Sequence, residues 1–149
     1  MCIRDSANTL VELEMTGAEV KLALEQGLSN TVDSGGSSGA FPYGSGIRWD
    51  LDVNQAFGDR FSNIEVRRQG EADFSPLDPT ATYIVVANSF MVGGGDGYFV
   101  LADVAADGRA TDTFLDYAQS FIDWVEQDMG GSFGKPTEYS LKSYVPLAP

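Results

Sequence analysis

The residues best suited to chemistry in this 149-residue chain stand in one run, Asn88-Ser89-Phe90-Met91-Val92-Gly93-Gly94-Gly95-Asp96-Gly97-Tyr98. Consecutive glycines such as Gly94 and Gly95 let the backbone approach a ligand closely, and an array of backbone N–H groups can face an anion or a hydroxyl. Asp96, held between glycines, offers two acceptor oxygens, for which a ribose diol is a matching pair of donors. Phe90 offers a flat ring on which a base can stack, worth about 1–3 kcal/mol per base. The same run also reads as a plain turn with one satisfied Asp and one core Phe, because glycine-rich motifs match widely.

Much other chemistry is excluded. The chain has no histidine, so a His-based acid–base pair, a Ser-His-Asp triad and a His-ligated zinc site are all ruled out, and no catalytic residue is assigned. Cys2 is the only cysteine, so no internal disulfide can form. The net charge of −13 repels nucleic-acid backbones, which argues against a nucleic-acid partner. No apolar run approaches the roughly 20 residues that a membrane-spanning helix needs. Three further motifs fail on spacing. Asp50-x-Asp52-x-Asn54 begins like a calcium loop, but Gln55 stands where glycine is required and Phe61 where the bidentate Glu should be. The glycines with Asp96 form a single copy, which cannot stack as a calcium-binding repeat. In Gly134-Lys135-Pro136-Thr137, Pro136 separates the Lys-Thr pair that a phosphate loop requires.

The elements that must position these residues follow from periodicity. Val11, Leu13 and Met15 alternate with Glu12 and Glu14, which predicts a half-buried strand. Thr16-Gly17-Ala18-Glu19 reads as a capping box, opening a helix with Val20, Ala23, Leu24 and Leu28 on one stripe and a stop near Ser29-Asn30. Ile47, Trp49, Leu51 and Val53 alternate as a second strand, with a third around Ile64 and Val66 across a turn at Gly58-Asp59. The unbroken run Tyr83–Ala87 predicts a central strand buried on both faces. Thr113 is expected to open the longest helix, with Phe114, Leu115, Ala118, Phe121, Ile122 and Val125 inward and an end near Gly130. A tail with Phe133, Tyr139 and Tyr144 is expected to pack back on the body. Phe41, after Ser38-Gly39-Ala40, reads as a loop aromatic tucked onto the core. The sum is an α+β single domain, a mixed β-sheet flanked by two main helices.

Several of these residues together resemble a known family. Asn8-Thr9-Leu10, Thr16-Gly17, Ser38-Gly39-Ala40-Phe41-Pro42, Gly46-Ile47-Arg48-Trp49, Leu77-Asp78-Pro79, Tyr83 and then Asn88-Ser89-Phe90 with Gly94-Gly95-Asp96-Gly97-Tyr98 occur in the order of the 5'-nucleotidase C-terminal domain family. The resemblance covers residues 7–145. It implies that Phe90 is one of two rings sandwiching the base, that Asp96 binds the ribose hydroxyls and that Asn8 bonds the base edge, with Gly94 and Gly95 lining the site. It implies no cofactor in this stretch, and two divalent metal ions in a preceding metallophosphoesterase domain that hydrolyses the phosphate ester. By the same resemblance the parent is a periplasmic or extracellular enzyme acting on nucleotides, and this chain alone is inactive. The chain departs from the family pattern at its start: Ser6-Ala7-Asn8 replaces a Pro-Phe-Gly-Asn run, so the second ring is missing. Residues 1–6 read as an unrelated leader, and residues 146–149 as a short tail. A free-standing extracellular module that binds nucleosides or another small ligand without catalysis is the competing reading.

Overall fold

Strand β1, Thr9–Thr16, buries Val11, Leu13 and Met15 and turns Glu12 and Glu14 to solvent, as its alternation requires. It belongs to a computed structural model that describes residues 8–35 and 38–147. The leader expected at residues 1–6 and the last two residues of the tail lie outside the described residues. At Thr16 the chain turns into helix α1, Gly17–Val32, through the expected capping box: the Glu19 N–H donates to Thr16 Oγ1 at 3.2 Å, and the Thr16 N–H donates to Glu19 Oε2 at 2.8 Å. The helix runs slightly past its expected stop.

The domain is α+β, but its strands form two sheets. The mixed one has four strands: β2 (Ile47–Asp52), β3 (Phe61–Val66), the two-residue β4 (Ser75–Pro76) and β7 (Leu141–Val145), in the order β4-β3-β2-β7. β2 and β3 are antiparallel, and β2 and β7 parallel. The other sheet is antiparallel and places β1 between β5 (Thr82–Asn88) and β6 (Ala110–Asp116). Between β5 and β6 lie a four-residue helix α2, Ser89–Val92, and helix α3, Phe99–Ala106. Each sheet has its own apolar cluster. Val11, Leu13, Met15, Val100, Leu101 and Val104 fill the first, and Trp49, Leu51, Val53 and Phe61 the second. α1 supplies Val20 to one and Leu24 and Leu28 to the other. Phe41 is half-buried against the second cluster, as expected.

Three expectations are corrected. β5 is an edge strand, and Ile84 and Val86 are 63% and 55% exposed. They share a face with Glu14 and Glu12, their cross-strand partners. The stretch from Thr113 belongs to β6, and helix α4 begins only at Tyr117 and ends at Gln127. Its 11 residues make it shorter than α1, which has 16. The reason is local: Asp116 accepts from the Gln119 N–H at 2.7 Å and so caps the helix. Phe114 takes a left-handed φ of 57° and is exposed, as are Leu115 and Phe121. Third, the tail divides. β7 joins the sheet with Leu141 against its core, whereas Phe133 packs on Phe121 and Trp124 of α4, and Tyr139 and Tyr144 stay exposed.

The start of α1 is also held by charge. Arg109 grips Glu19 with two bonds, 2.7 and 3.0 Å, and this guanidinium is the largest cause holding the Glu19 carboxyl down to about 2. A carboxyl lowered in the fold stabilises fully above its ordinary value of 4.5, and that stability is lost as pH falls through about 2. We expect the chain to lose about 1–3 kcal/mol more between those limits than a Glu19→Gln variant, which keeps the capping geometry. Urea melts at stepped pH measure this, and parallel curves for the two proteins would dismiss it.

Candidate functional site

The antiparallel register of β1 and β5 sets Leu10 opposite Asn88 and so brings Asn8 beside the first residue of α2. The Thr9 N–H donates to Ser89 Oγ at 3.0 Å, and that hydroxyl lies 3.5 Å from Asn8 Oδ1. Asn88 caps α2 by accepting from the Met91 N–H at 2.9 Å. This single turn of helix reverses the chain, so that Phe90 returns onto the glycines that follow it. A Cβ built on Gly95 would lie 2.5, 2.6 and 2.7 Å from three atoms of the Phe90 ring. The ring therefore rests on bare backbone, which only glycine allows here. It is 51% exposed, so one side is covered and the other is open to solvent.

Asp96 follows in a left-handed conformation, φ 55° and ψ 22°, which a short polar side chain tolerates. Gly94 at φ 83° and Gly97 at φ 84° flank it, and this sequence of turns keeps Asp96 beside the Phe90–Gly95 stack. The Asp96 carboxylate has no hydrogen-bond partner among the described residues, so its acceptor sites are available to donors from outside. Tyr98 is buried, and its hydroxyl donates to the Ala40 carbonyl at 2.8 Å. Burial first, and the Asp96 charge second, push its phenol up to about 12, so it remains a proton donor. The Val100 N–H donates to Gln26 Oε1 at 2.9 Å.

All five residues singled out from the sequence are described, and Phe90 packs on Gly95 while Asn8 reaches only Ser89, at the start of α2. Phe90, Gly94, Gly95 and Asp96 lie in one short stretch, and Asn8, just before β1, lies beside Ser89. The concavities of about 140 and 430 Å³ lie elsewhere, beside Arg109 and beside Phe61, and none of the five residues lines either. Among the described residues, no group of three or more His, Cys, Asp or Glu side chains is placed to hold a metal ion. The carboxylate can accept from hydroxyls, and the exposed ring can pack on a flat one. Sequence reasoning missed what holds the turn in place. Ala40 and Gln26 lie 58 and 74 residues from their partners, and nothing local announces them.

The profile described as 5'-nucleotidase, C-terminal domain, matches residues 4–103, which is 100 of the 149 residues. The chain belongs to the 5'-nucleotidase C-terminal domain family. It is 35% identical over 123 residues to the NAD 5'-nucleotidase of Haemophilus influenzae, and 36% identical over 120 residues to a probable 5'-nucleotidase of Treponema pallidum. In both cases 80% of this chain and 20% of the relative are covered, so the chain spans about a fifth of the length of the curated relatives it matches. The crystal structure of a 5'-nucleotidase precursor from Thermus thermophilus superposes with a TM-score of 0.79 at 33% identity, covering 95% of this chain and 26% of that one. Membership of the 5'-nucleotidase C-terminal domain family thus rests on sequence and fold together. Its α+β architecture is the one expected from the sequence.

Proposed function

We propose that this chain is the nucleoside-recognising part of a 5'-nucleotidase-type phosphohydrolase. Phe90 stacks on the base, Asp96 accepts from the ribose hydroxyls, and Asn8 bonds the base edge. Gly94 and Gly95 keep the surface low enough for close approach. Hydrolysis belongs to a preceding metallophosphoesterase domain carrying two divalent metal ions, which activate water and clamp the phosphoryl group. The contribution of this chain is orientation and selectivity. The parent acts in the periplasm or outside the cell.

One observation carries this reading: a half-exposed aromatic ring seated on glycine, with a carboxylate one residue further on that has no hydrogen-bond partner among the described residues. Stacking on one ring supplies only about 1–3 kcal/mol, so affinity for a free nucleoside should be weak, in the millimolar range. Calorimetric titration of the 149-residue chain with adenosine and uridine should give one site per chain. The same chain, supplied with AMP and Mn²⁺, should release no phosphate. Absence of saturable heat with either nucleoside at about 10-fold the expected constant, on the order of 10 mM, would remove the recognition role.

A further inference from the structure

We propose that Tyr98 is a positioning residue, wedged against Gly27 of α1 and tied to Ala40, which sets the Asp96 carboxylate relative to the Phe90 ring. The inference rests on the nucleoside reading for its functional meaning but on separate contacts for its geometry.

Gly27 lies in the middle of a 16-residue helix and is buried. Glycine there is less favourable than alanine, because it has more backbone freedom to lose on folding. The structure explains its presence. A Cβ on Gly27 would overlap Tyr98 Oη and lie 2.5 Å from Cζ and 2.9 Å from Cε1. The phenol therefore occupies the space that a side chain at residue 27 would take. From that seat it reaches across to the Ala40 carbonyl at 2.8 Å. The same stretch of α1 touches the turn twice more. Gln26 accepts from the Val100 N–H at 2.9 Å, and a Cβ on Gly97 would come within 3.6 Å of Asn30 Cβ.

Residues 97 to 100 are thus pinned to one end of α1, and Tyr98 is also tied to the segment after it. Asp96 is the last residue before the pinned stretch, and Gly95, which carries the Phe90 ring, precedes it. The Tyr98 N–H also donates to the Gly95 carbonyl at 3.3 Å, which closes the turn on itself. A displacement of Tyr98 must therefore move the carboxylate and the platform of the ring together.

The test uses Tyr98→Phe, which keeps the ring and loses only the hydroxyl, and Gly27→Ala, which displaces the ring. Val53→Ala, in the second apolar cluster, serves as a control that destabilises without touching the turn. The amide signals of Gly95 and Asp96 are followed by NMR, since Gly95 lies under the Phe90 ring, and adenosine affinity is measured on each protein. Both turn variants should shift these two amides, and Tyr98→Phe should weaken adenosine about tenfold, while Val53→Ala leaves both readouts unchanged. Amides that shift no more than in Val53→Ala overturn the proposal. So does unaltered adenosine affinity in Tyr98→Phe when the wild-type chain binds. Shifted amides in a chain that never binds adenosine support the positioning role and remove the nucleoside reading instead.

Discussion

Replacing Gly17 with alanine is expected to lower the melting temperature of this chain by about 10 °C, the equivalent of roughly 3 kcal/mol of overpacking. Helix propensity alone has the opposite sign, because alanine is favoured over glycine by about 1 kcal/mol. The structure decides against propensity. The first N–H groups of α1 have no partners within the helix. The Gly17 N–H donates to the Ala81 carbonyl at 3.1 Å, and the Ala18 N–H to the Pro79 carbonyl at 3.0 Å. To serve both, the 78–81 turn must come very close. A Cβ on Gly17 would overlap the Asp78 carbonyl oxygen and stand 2.8 Å from its carbon and 3.1 Å from Leu77 Cγ. The obstacle is backbone, and that backbone is itself fixed: the Asp78 N–H donates to Tyr83 Oη at 3.0 Å, and the Thr80 N–H to Asp78 Oδ1 at 2.8 Å. It cannot yield by a change of rotamer. Thermal unfolding followed by circular dichroism measures the effect. A variant that melts at or above the parent temperature would show that the turn gives way more easily than its bonds suggest.

The second large effect falls on binding. Phe90→Ala should weaken adenosine by about 5- to 150-fold, which is the loss of one base stack of roughly 1–3 kcal/mol. Its side chain is half-exposed, so stability should stay within about 0.5 kcal/mol, and the two consequences separate cleanly. Asp96→Ala should act differently. Hydrogen bonds to a charged acceptor are worth about 1.5–3 kcal/mol, so affinity for adenosine should fall by roughly 10- to 150-fold. Affinity for 2',3'-dideoxyadenosine should not change, because that ligand has no hydroxyls for the carboxylate. The parent chain should prefer adenosine over the dideoxy compound, and the Asp96→Ala protein should treat them alike. Calorimetry with both ligands reads this. A preference that survives in the variant would assign the sugar to another group.

What the sequence disclosed depended on how local the cause was. The capping box at Thr16 and Glu19 spans four residues and was legible in full, as was the alternation that buries Val11, Leu13 and Met15. The Tyr83–Ala87 run was misleading because apolar character says nothing about whether a second layer covers it. In the fold, Ile84 and Val86 lie outward beside two glutamates. The start of α4 was misplaced by four residues because Phe114 and Leu115 extend the apolar pattern, whereas the capping Asp116 sets the boundary. α3 was missed, since eight residues following a glycine turn give little periodicity to read. At the site, Phe90 and Asp96 were legible as a pair because one loop holds both. Asn8 came from family resemblance, and its place beside Ser89 depends on pairing between β1 and β5, about 80 residues apart. The seat of Tyr98 on Gly27 is a contact of the same remote kind.

The sharing of α1 between two apolar clusters has a consequence for how the molecule comes apart. One stripe of a single rod supplies Val20 to one layer and Leu24 and Leu28 to the other, while its far end braces the turn that carries Asp96. α3 serves only the first layer, but the second depends on α1, so pulling the two layers apart strips Leu24 and Leu28 from their partners. The turn that carries Asp96, tied to that rod through Gln26, should open with the body of the domain instead of fraying like an ordinary surface loop.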